Sequence, residues 1–439
     1  MNRLDERLRG FCLSPCGRDG LLYAALSVVL FFVLLWRTSL LPPGEGSRMA
    51  EAALFTLPFA ALAGVALSVA ARGRHSRAAL LLMLAGALFG MLARLTFVRH
   101  VSPDFENYLA GWMGELSRLS FPEAMRRQIG EYNVLYQYLL FGAARLPVPA
   151  LSAVKAVSFL GDALLCGGMA RLAGSRRAPA AFFAALLLPT VLLNGAMFAQ
   201  CDSLYAACAV WGLALALEGR PARSACCFAL SLAFKLQALF LFPVLPVLWA
   251  DGKLRFRDIG AFALTLLVCA LPALLGGKSP AAIVSYYTGQ TGLYTGLTYN
   301  APTLFGLMET GGLDVYAYGR FGVLLALGAA ALAAASGVGR AGKLPDAETV
   351  RLSLITVLCV VFLLPRMHER YFYLAVCLAA VMAVRARRFF VPFALLELAS
   401  LSRLWEMGIP LRAASAMVFA ALVLTVLPER RAGTGDNPV

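Results

Sequence analysis

The run Leu21-Leu22-Tyr23-Ala24-Ala25-Leu26-Ser27-Val28-Val29-Leu30-Phe31-Phe32-Val33-Leu34-Leu35 carries no charge. It is followed by Trp36-Arg37 and a Pro42-Pro43-Gly44 turn, with no small-x-small cleavage pattern, so it reads as a first transmembrane helix rather than a removable leader. Working outward, apolar runs long enough to cross a bilayer, at about 20 residues each, recur along almost the whole chain. Of 439 residues, 60% are hydrophobic and only 14% charged, with a mean hydropathy of +0.75. A soluble surface of this size needs far more charge. The expected fold class is an all-α polytopic membrane protein.

The net charge of +15 does not point to nucleic acid. The basic residues sit in short clusters between apolar runs, the pattern of topology-setting loops, whereas tracking phosphates needs a contiguous patch. Most of the ten cysteines, including Cys166, Cys208, Cys226, Cys227, Cys269, Cys359 and Cys377, lie inside apolar segments and read as small buried hydrophobes. Cys12 and Cys16 share a basic tail, and two ligands alone make a poor metal site. Neither a metal nor a cofactor is expected.

Arg3, Arg7, Arg9 and Arg18 place the N-terminus in the cytoplasm by positive-inside counting. Runs near 20–36, 50–71 and 78–98 then cross three times, with Arg72, Arg74 and Arg77 inside, so the polar stretch 99–132 falls outside. The Tyr-rich segment 133–146 spans only about 20 Å as a helix, and is expected in the outer interface. Basic clusters at Arg171/Arg176/Arg177, Arg220/Arg223, Lys253/Arg255/Arg257, Arg340/Lys343, Arg385/Arg387/Arg388 and Arg430/Arg431 fall inside. Segment 222–249 starts and ends inside, so it reads as a pair of short helices broken near Lys235–Gln237, with Pro243 and Pro246 in the break. Only this one broken pair is evident. The count is roughly 13 membrane segments.

Polar residues in such a chain converge on the outer side. Asp104, Glu106 and Tyr108, followed by Trp112, open the first outer loop. Asn194, Gln200 and Asp202 precede an apolar run, where Asp202 could either cap a helix or belong to a site. Lys235 and Gln237 lie in the middle of a 28-residue hydrophobic stretch, where a lysine needs a partner or an anion. Arg366, His368, Glu369, Arg370 and Tyr371 crowd one short loop placed outside, where arginines are disfavoured. Two guanidinium groups and an imidazole there suit a bound phosphate.

Taken in order, Asp104-Phe105…Tyr108…Trp112, Tyr136…Tyr138, Gln200-Cys201-Asp202-Ser203-Leu204-Tyr205, Lys235-Leu236-Gln237, Asn300-Ala301-Pro302 and Met367-His368-Glu369-Arg370-Tyr371 form a pattern. It resembles the bacterial relatives of the GPI-anchor mannosyltransferases, in the GT-C superfamily of membrane glycosyltransferases. The resemblance covers about 97–375, and it departs at Met197-Phe198-Ala199-Gln200, where members often carry Trp-Gly-Gln. It implies a GT-C-like fold, a polyprenyl-phosphate-linked sugar donor, an extracytoplasmic lipid or glycan acceptor, and inversion at the anomeric carbon. It implies that Asp104 is the general base. Lys235, Arg366, His368 and Arg370 are then expected at the donor phosphate. Glu106, Tyr108, Asn194, Gln200, Asp202, Gln237, Asn300, Glu369 and Tyr371 are expected at the substrates. The chain then divides into N-terminal helices over 1–77, a possible extension; a catalytic membrane core over 78–310 with outer loop 99–148; and C-terminal helices over 311–439 that include the 366–373 motif. Such an enzyme is expected in the bacterial cytoplasmic membrane with its site facing outward and mannose as the first sugar to test. The alternative is a transporter or flippase of lipid-linked sugars.

Overall fold

A chain in lipid must satisfy its backbone polar groups within its own segments, so apolar runs become helices and their breaks fall at Pro, Gly and charged residues. The computed structural model describes residues 15–38, 40–41, 47–289, 295–308 and 310–427; Arg3, Arg7, Arg9, Cys12, Thr291, Arg430 and Arg431 lie outside them. Among the described residues six helices are long and apolar enough to cross a membrane: Asp19–Arg37, Arg48–Gly73, Arg77–Leu95, Ala150–Ala173, Asp258–Leu275 and Val315–Val338. Shorter apolar helices follow, among them Val134–Ala143, Asp202–Leu217, Pro221–Phe234 and Leu411–Val426. Against the roughly 13 segments expected from loop alternation, six helices meet the length and composition of a span among the described residues, or seven with one bent pair. The protein is an all-α membrane protein.

The break expected within 222–249 is present. Helix Pro221–Phe234 stops at Lys235, whose backbone is extended, and a 3-10 stretch Leu236–Val244 follows. The sequence reading found no counterpart, and the structure has one. Ala178–Leu187 and Pro189–Ala196 meet at 47°, and counted together they make a seventh apolar span. Leu188, between them, is extended at φ −61°, ψ 118°. Its own successor explains this, because a proline pushes the preceding residue out of the helical region.

Ala150–Ala173 is the axis of the bundle. Its apolar window is 72% buried, against 11% for Asp258–Leu275. It packs on Arg48–Gly73, Ala178–Leu187 and Asp202–Leu217. Small residues permit the close approach. A Cβ at Gly161 would collide with Ser203 Oγ, and one at Gly212 would stand 2.7 Å from the Phe228 ring. At the periphery, Leu264, Leu267, Leu271 and Leu332 are exposed, as lipid-facing residues are.

The loop that follows Arg77–Leu95 is itself folded. Phe105–Leu109 forms a π-helical turn, followed by helices Ala110–Arg118 and Phe121–Arg126. Phe105, Leu109, Met113, Met125 and Tyr136 join Ala153, Val154, Cys201 and Leu204 in a second hydrophobic cluster. That cluster sets the loop down on the bundle axis beside the start of Asp202–Leu217. The loop alternation put Ser102 and Ser203 on the outer side, and both are nearly fully buried here. The only sheet among the described residues pairs Thr298–Tyr299 in parallel with Met367–His368.

Candidate active site

Asp104 is placed by its own local chemistry. Ser102 Oγ accepts the Phe105 N–H at 3.2 Å, capping the turn that begins at Pro103, and donates to Phe198 O at 3.1 Å. That second bond ties the turn to the segment leading into Asp202. Ala199 takes φ +55° and Gln200 N–H returns to Asn194 O at 3.0 Å, turning Gln200 toward the loop. Gln200 Nε2 then donates to Asp104 Oδ2 at 2.7 Å, and Gln200 Oε1 accepts from the Tyr132 hydroxyl at 3.2 Å.

Two ion pairs organise the centre. Arg370 Nη1 donates to Asp104 Oδ2, and Lys235 Nζ donates to Asp202 Oδ1. The Asp202 side chain is 1% exposed and that of Lys235 8%, so this pair is sealed. Asn194 Nδ2 closes it further, donating to Asp202 Oδ2 at 3.0 Å. The rings of Tyr132, Tyr205 and Tyr371 stand 5.7–6.0 Å from Lys235 Nζ. The partner that the sequence demanded for Lys235 is therefore Asp202, and the Asp202 carboxylate caps no helix. Asp104 is 36% exposed, so the second pair sits at an opening.

Arg370, with Lys235 and Tyr132, also lines a cavity of about 850 Å³. Its polar lining is Glu131, Tyr132, Lys235, Gln237, Arg320, Arg366 and Arg370, cations outnumbering the one carboxylate. Its walls are apolar, with Leu239, Phe240 and Pro243 facing Val323, Leu324 and Leu327 of helix Val315–Val338. Tyr371 and Met367 also line it.

The 366–371 motif is held by the short strand pair. Arg366, at φ +62°, donates its N–H to Leu297 O at 2.8 Å. The Tyr299 and His368 rings stack at 5.0 Å with 16° between planes. Burial, with Arg370 and Lys235 nearby, pulls the His368 imidazole down to about 4. It is neutral at pH 7, so the positive charge here comes from arginine and lysine. Burial raises the Glu369 carboxyl, and the Glu369 Oε1 to Arg370 Nε distance is 3.5 Å. Burial alone would lower Arg370; Glu369, Tyr132, Asp104 and Asp202 outweigh it and raise it.

Eleven of the fourteen expected site residues fall into three groups. Asp104, Gln200, Arg370 and Glu369, with His368, surround the opening; Asn194, Asp202 and Lys235 form the sealed pair; Gln237, Arg366 and Tyr371 line the cavity. Glu106 and Tyr108 are exposed on the π-helical turn and belong to neither ion pair. Tyr108 nevertheless begins a file of rings, Tyr108–Trp112–Tyr132–Tyr136, with centroids 4.9–6.2 Å apart, that leads from the surface to the centre. Asn300 bridges His368 through its backbone, while its side chain accepts from Arg403 Nη1 at 3.1 Å on the exposed rim.

Sequence reasoning passed over Arg320, which only its charge within a long apolar run could have flagged. It also passed over Arg94 and Asp162, paired at 2.8 Å and almost fully buried beneath the site. Among the described residues no three His, Cys, Asp or Glu side chains gather as metal ligands would. The chain matches no family model and no curated protein sequence.

Proposed function

We propose that this protein is a GT-C-like membrane glycosyltransferase. It takes a hexose, with mannose the first to test, from a polyprenyl-phosphate sugar to an extracytoplasmic lipid or glycan acceptor. The single observation that carries this reading is Arg370, which pairs with Asp104 and also lines a cavity that carries several cationic side chains and largely apolar walls. A lipid phosphate has that same division: an isoprenoid tail for the apolar wall, and a phosphate for Arg366, Arg370 and Arg320.

The chemistry follows from the groups present. Asp104 Oδ2 is occupied by Gln200 and Arg370, while Oδ1 takes no hydrogen bond from the described residues. The acceptor hydroxyl gives its proton to Oδ1, its oxygen bonds the anomeric carbon, and the C–O bond to phosphate breaks with the electron pair leaving on phosphate. Phosphate is a good leaving group, so one base suffices and no acid partner is needed. Arginines meet the charge that accumulates on the departing oxygen. Phosphate arriving at Arg370 also competes with Asp104 for the guanidinium, and frees the carboxylate for the acceptor.

The test is a panel of radiolabelled polyprenyl-phosphate sugars offered to membranes with and without the protein, together with extracted lipid and glycan acceptors. Transfer of label to an acceptor, lost in Asp104→Asn, is the expected result. A flippase is the second reading, favoured by the second broken helix at Leu188. Paired breaks are frequent in transporters. Movement of labelled lipid across vesicles without any transfer would establish it instead.

A further inference from the structure

A second cavity, of about 460 Å³, lies at the other end of the bundle. Helix Arg77–Leu95 begins beside it and ends toward Asp104, a rise of roughly 28 Å. The cavity is walled by helices Arg48–Gly73, Ala150–Ala173 and Asp202–Leu217. Along the first wall, Ala61, Gly64, Val65 and Ser68 lead to Arg72 at the mouth, about 16 Å away. The slot opens sideways at Gly64, which is exposed, and a side chain there would project into empty space.

The mouth is cationic in a selective way. Arg171 is committed: it binds Glu218 through two nitrogens, and its guanidinium carbon lies 5.1 Å from the Trp211 ring centre. Asp346 is held by Lys253 at 3.1 Å, and Arg220 stands 3.7 Å from Glu218. Both carboxylates at the mouth are thus occupied. Arg72 and Arg385 form no ion pair among the described residues, although both line the opening.

We propose that this cavity binds an acidic phospholipid of the leaflet opposite the candidate active site. The phosphate lies between Arg72 and Arg385, and one acyl chain fills the slot toward Ala61. Arg385 Nη1 donates only to Leu172 O, at 3.2 Å, so two guanidinium groups without a carboxylate partner among the described residues select an anion, and basic pockets between membrane helices are suited to acidic headgroups. An apolar slot open to the bilayer from the same mouth selects an acyl chain over a soluble anion. The site is independent of the catalytic reading, since none of its residues lines the first cavity.

The test is native mass spectrometry of the full chain in detergent, titrated with phosphatidylglycerol, phosphatidylcholine and glycerol 3-phosphate. Phosphatidylglycerol should be retained about tenfold better than phosphatidylcholine, and glycerol 3-phosphate should not displace it. Arg72→Ala with Arg385→Ala should abolish that preference, while Arg118→Ala, exposed at the other end, should leave it intact. Gly64→Phe should lower lipid retention without changing the thermal midpoint, because its ring enters open space; should it fail to fold, Gly64→Leu is read in the same way. Equal retention of both lipids overturns the proposal. So does displacement by glycerol 3-phosphate, or an equal loss in Arg118→Ala.

Discussion

Replacing Asp104 by Asn removes basicity while leaving shape, and the surroundings of this side chain make the outcome calculable. Gln200 Nε2 and Arg370 Nη1 both donate to Oδ2, so an amide nitrogen cannot occupy that position without facing two donors. Asn therefore settles with its carbonyl oxygen toward Gln200 and Arg370, and its NH₂ group takes the place of Oδ1. The acceptor hydroxyl then meets a donor where it needs a base. Loss of general-base assistance costs about 10²–10⁴ in rate, which is roughly 2.7–5.5 kcal/mol at 1.36 kcal/mol per tenfold. Losing the carboxylate's charge beside Arg370 adds little to instability, on the order of 1 kcal/mol, because Asp104 is a third exposed. Folding should survive, and donor binding should be unchanged or tighter, since Arg370 no longer has an anionic competitor. The assay is turnover with donor saturating and acceptor varied, alongside direct donor binding and a thermal melt. Near-normal turnover in a folded Asp104→Asn protein refutes the assignment. Asp202 is then a poor successor, because Lys235 and Asn194 hold both its oxygens; Glu369, beside Arg370, is the next residue to test. Glu106→Gln, exposed and two residues away, should leave turnover within about threefold, in keeping with surface substitutions generally.

Arg366→Ala should weaken donor binding by about 1.5–3 kcal/mol, and Arg366→Lys should recover little of it if the grip is bidentate; unchanged donor affinity in both removes Arg366 from the phosphate site. Lys235→Ala strands the Asp202 carboxylate in the interior and should destabilise the fold by about 3–5 kcal/mol. Lys235→Met with Asp202→Asn should restore most of this, and a single variant melting with the wild type would show the pair to be slack. His368 is held below its unfolded value, so the unfolded chain binds more protons as pH falls from about 6.5 toward about 4, and the folded state loses stability across that window. His368→Asn should flatten this loss in melts recorded from pH 4.5 to 7.5; identical profiles count against a neutral buried imidazole. For topology, cysteines at Asn107 and Ser117, both exposed, should react with impermeant maleimide from the outer side, and one at Ser175 should not. The reverse labelling pattern would invert the orientation.

Much of this architecture was legible because lipid enforces a simple rule. Apolar length marked the helices, and Lys235 with Pro243 and Pro246 marked one broken segment. The other break escaped because Leu188-Pro189 sits inside an unbroken apolar run, where a proline reads as tolerable. The membership of the site was readable from polar residues in costly places, but their pairing was not. Nothing in spacing tells whether Lys235 meets a phosphate or Asp202, or that Arg370 reaches across 266 residues to Asp104. Those contacts depend on the packing of Asp202–Leu217 against Ala150–Ala173, which local sequence does not encode. Nor did sequence foresee that His368 would be uncharged, since that follows from burial beside Arg370 and Lys235.

The two-residue pairing of Thr298–Tyr299 with Met367–His368 carries an evolutionary consequence. Leu297 O holds Arg366 N–H, and the Tyr299 ring lies flat on His368. The two strips are remote in the chain yet cannot drift independently. A change at Tyr299 that shortens the ring lets His368 swing, and with it the backbone that presents Arg366 and Arg370. Lineages that alter one strip are expected to alter the other within the same interval, so positions 297–299 and 366–368 should substitute in concert. Tyr299→Ala made alone should then be more harmful than Tyr299→Ala made together with a larger ring at 368.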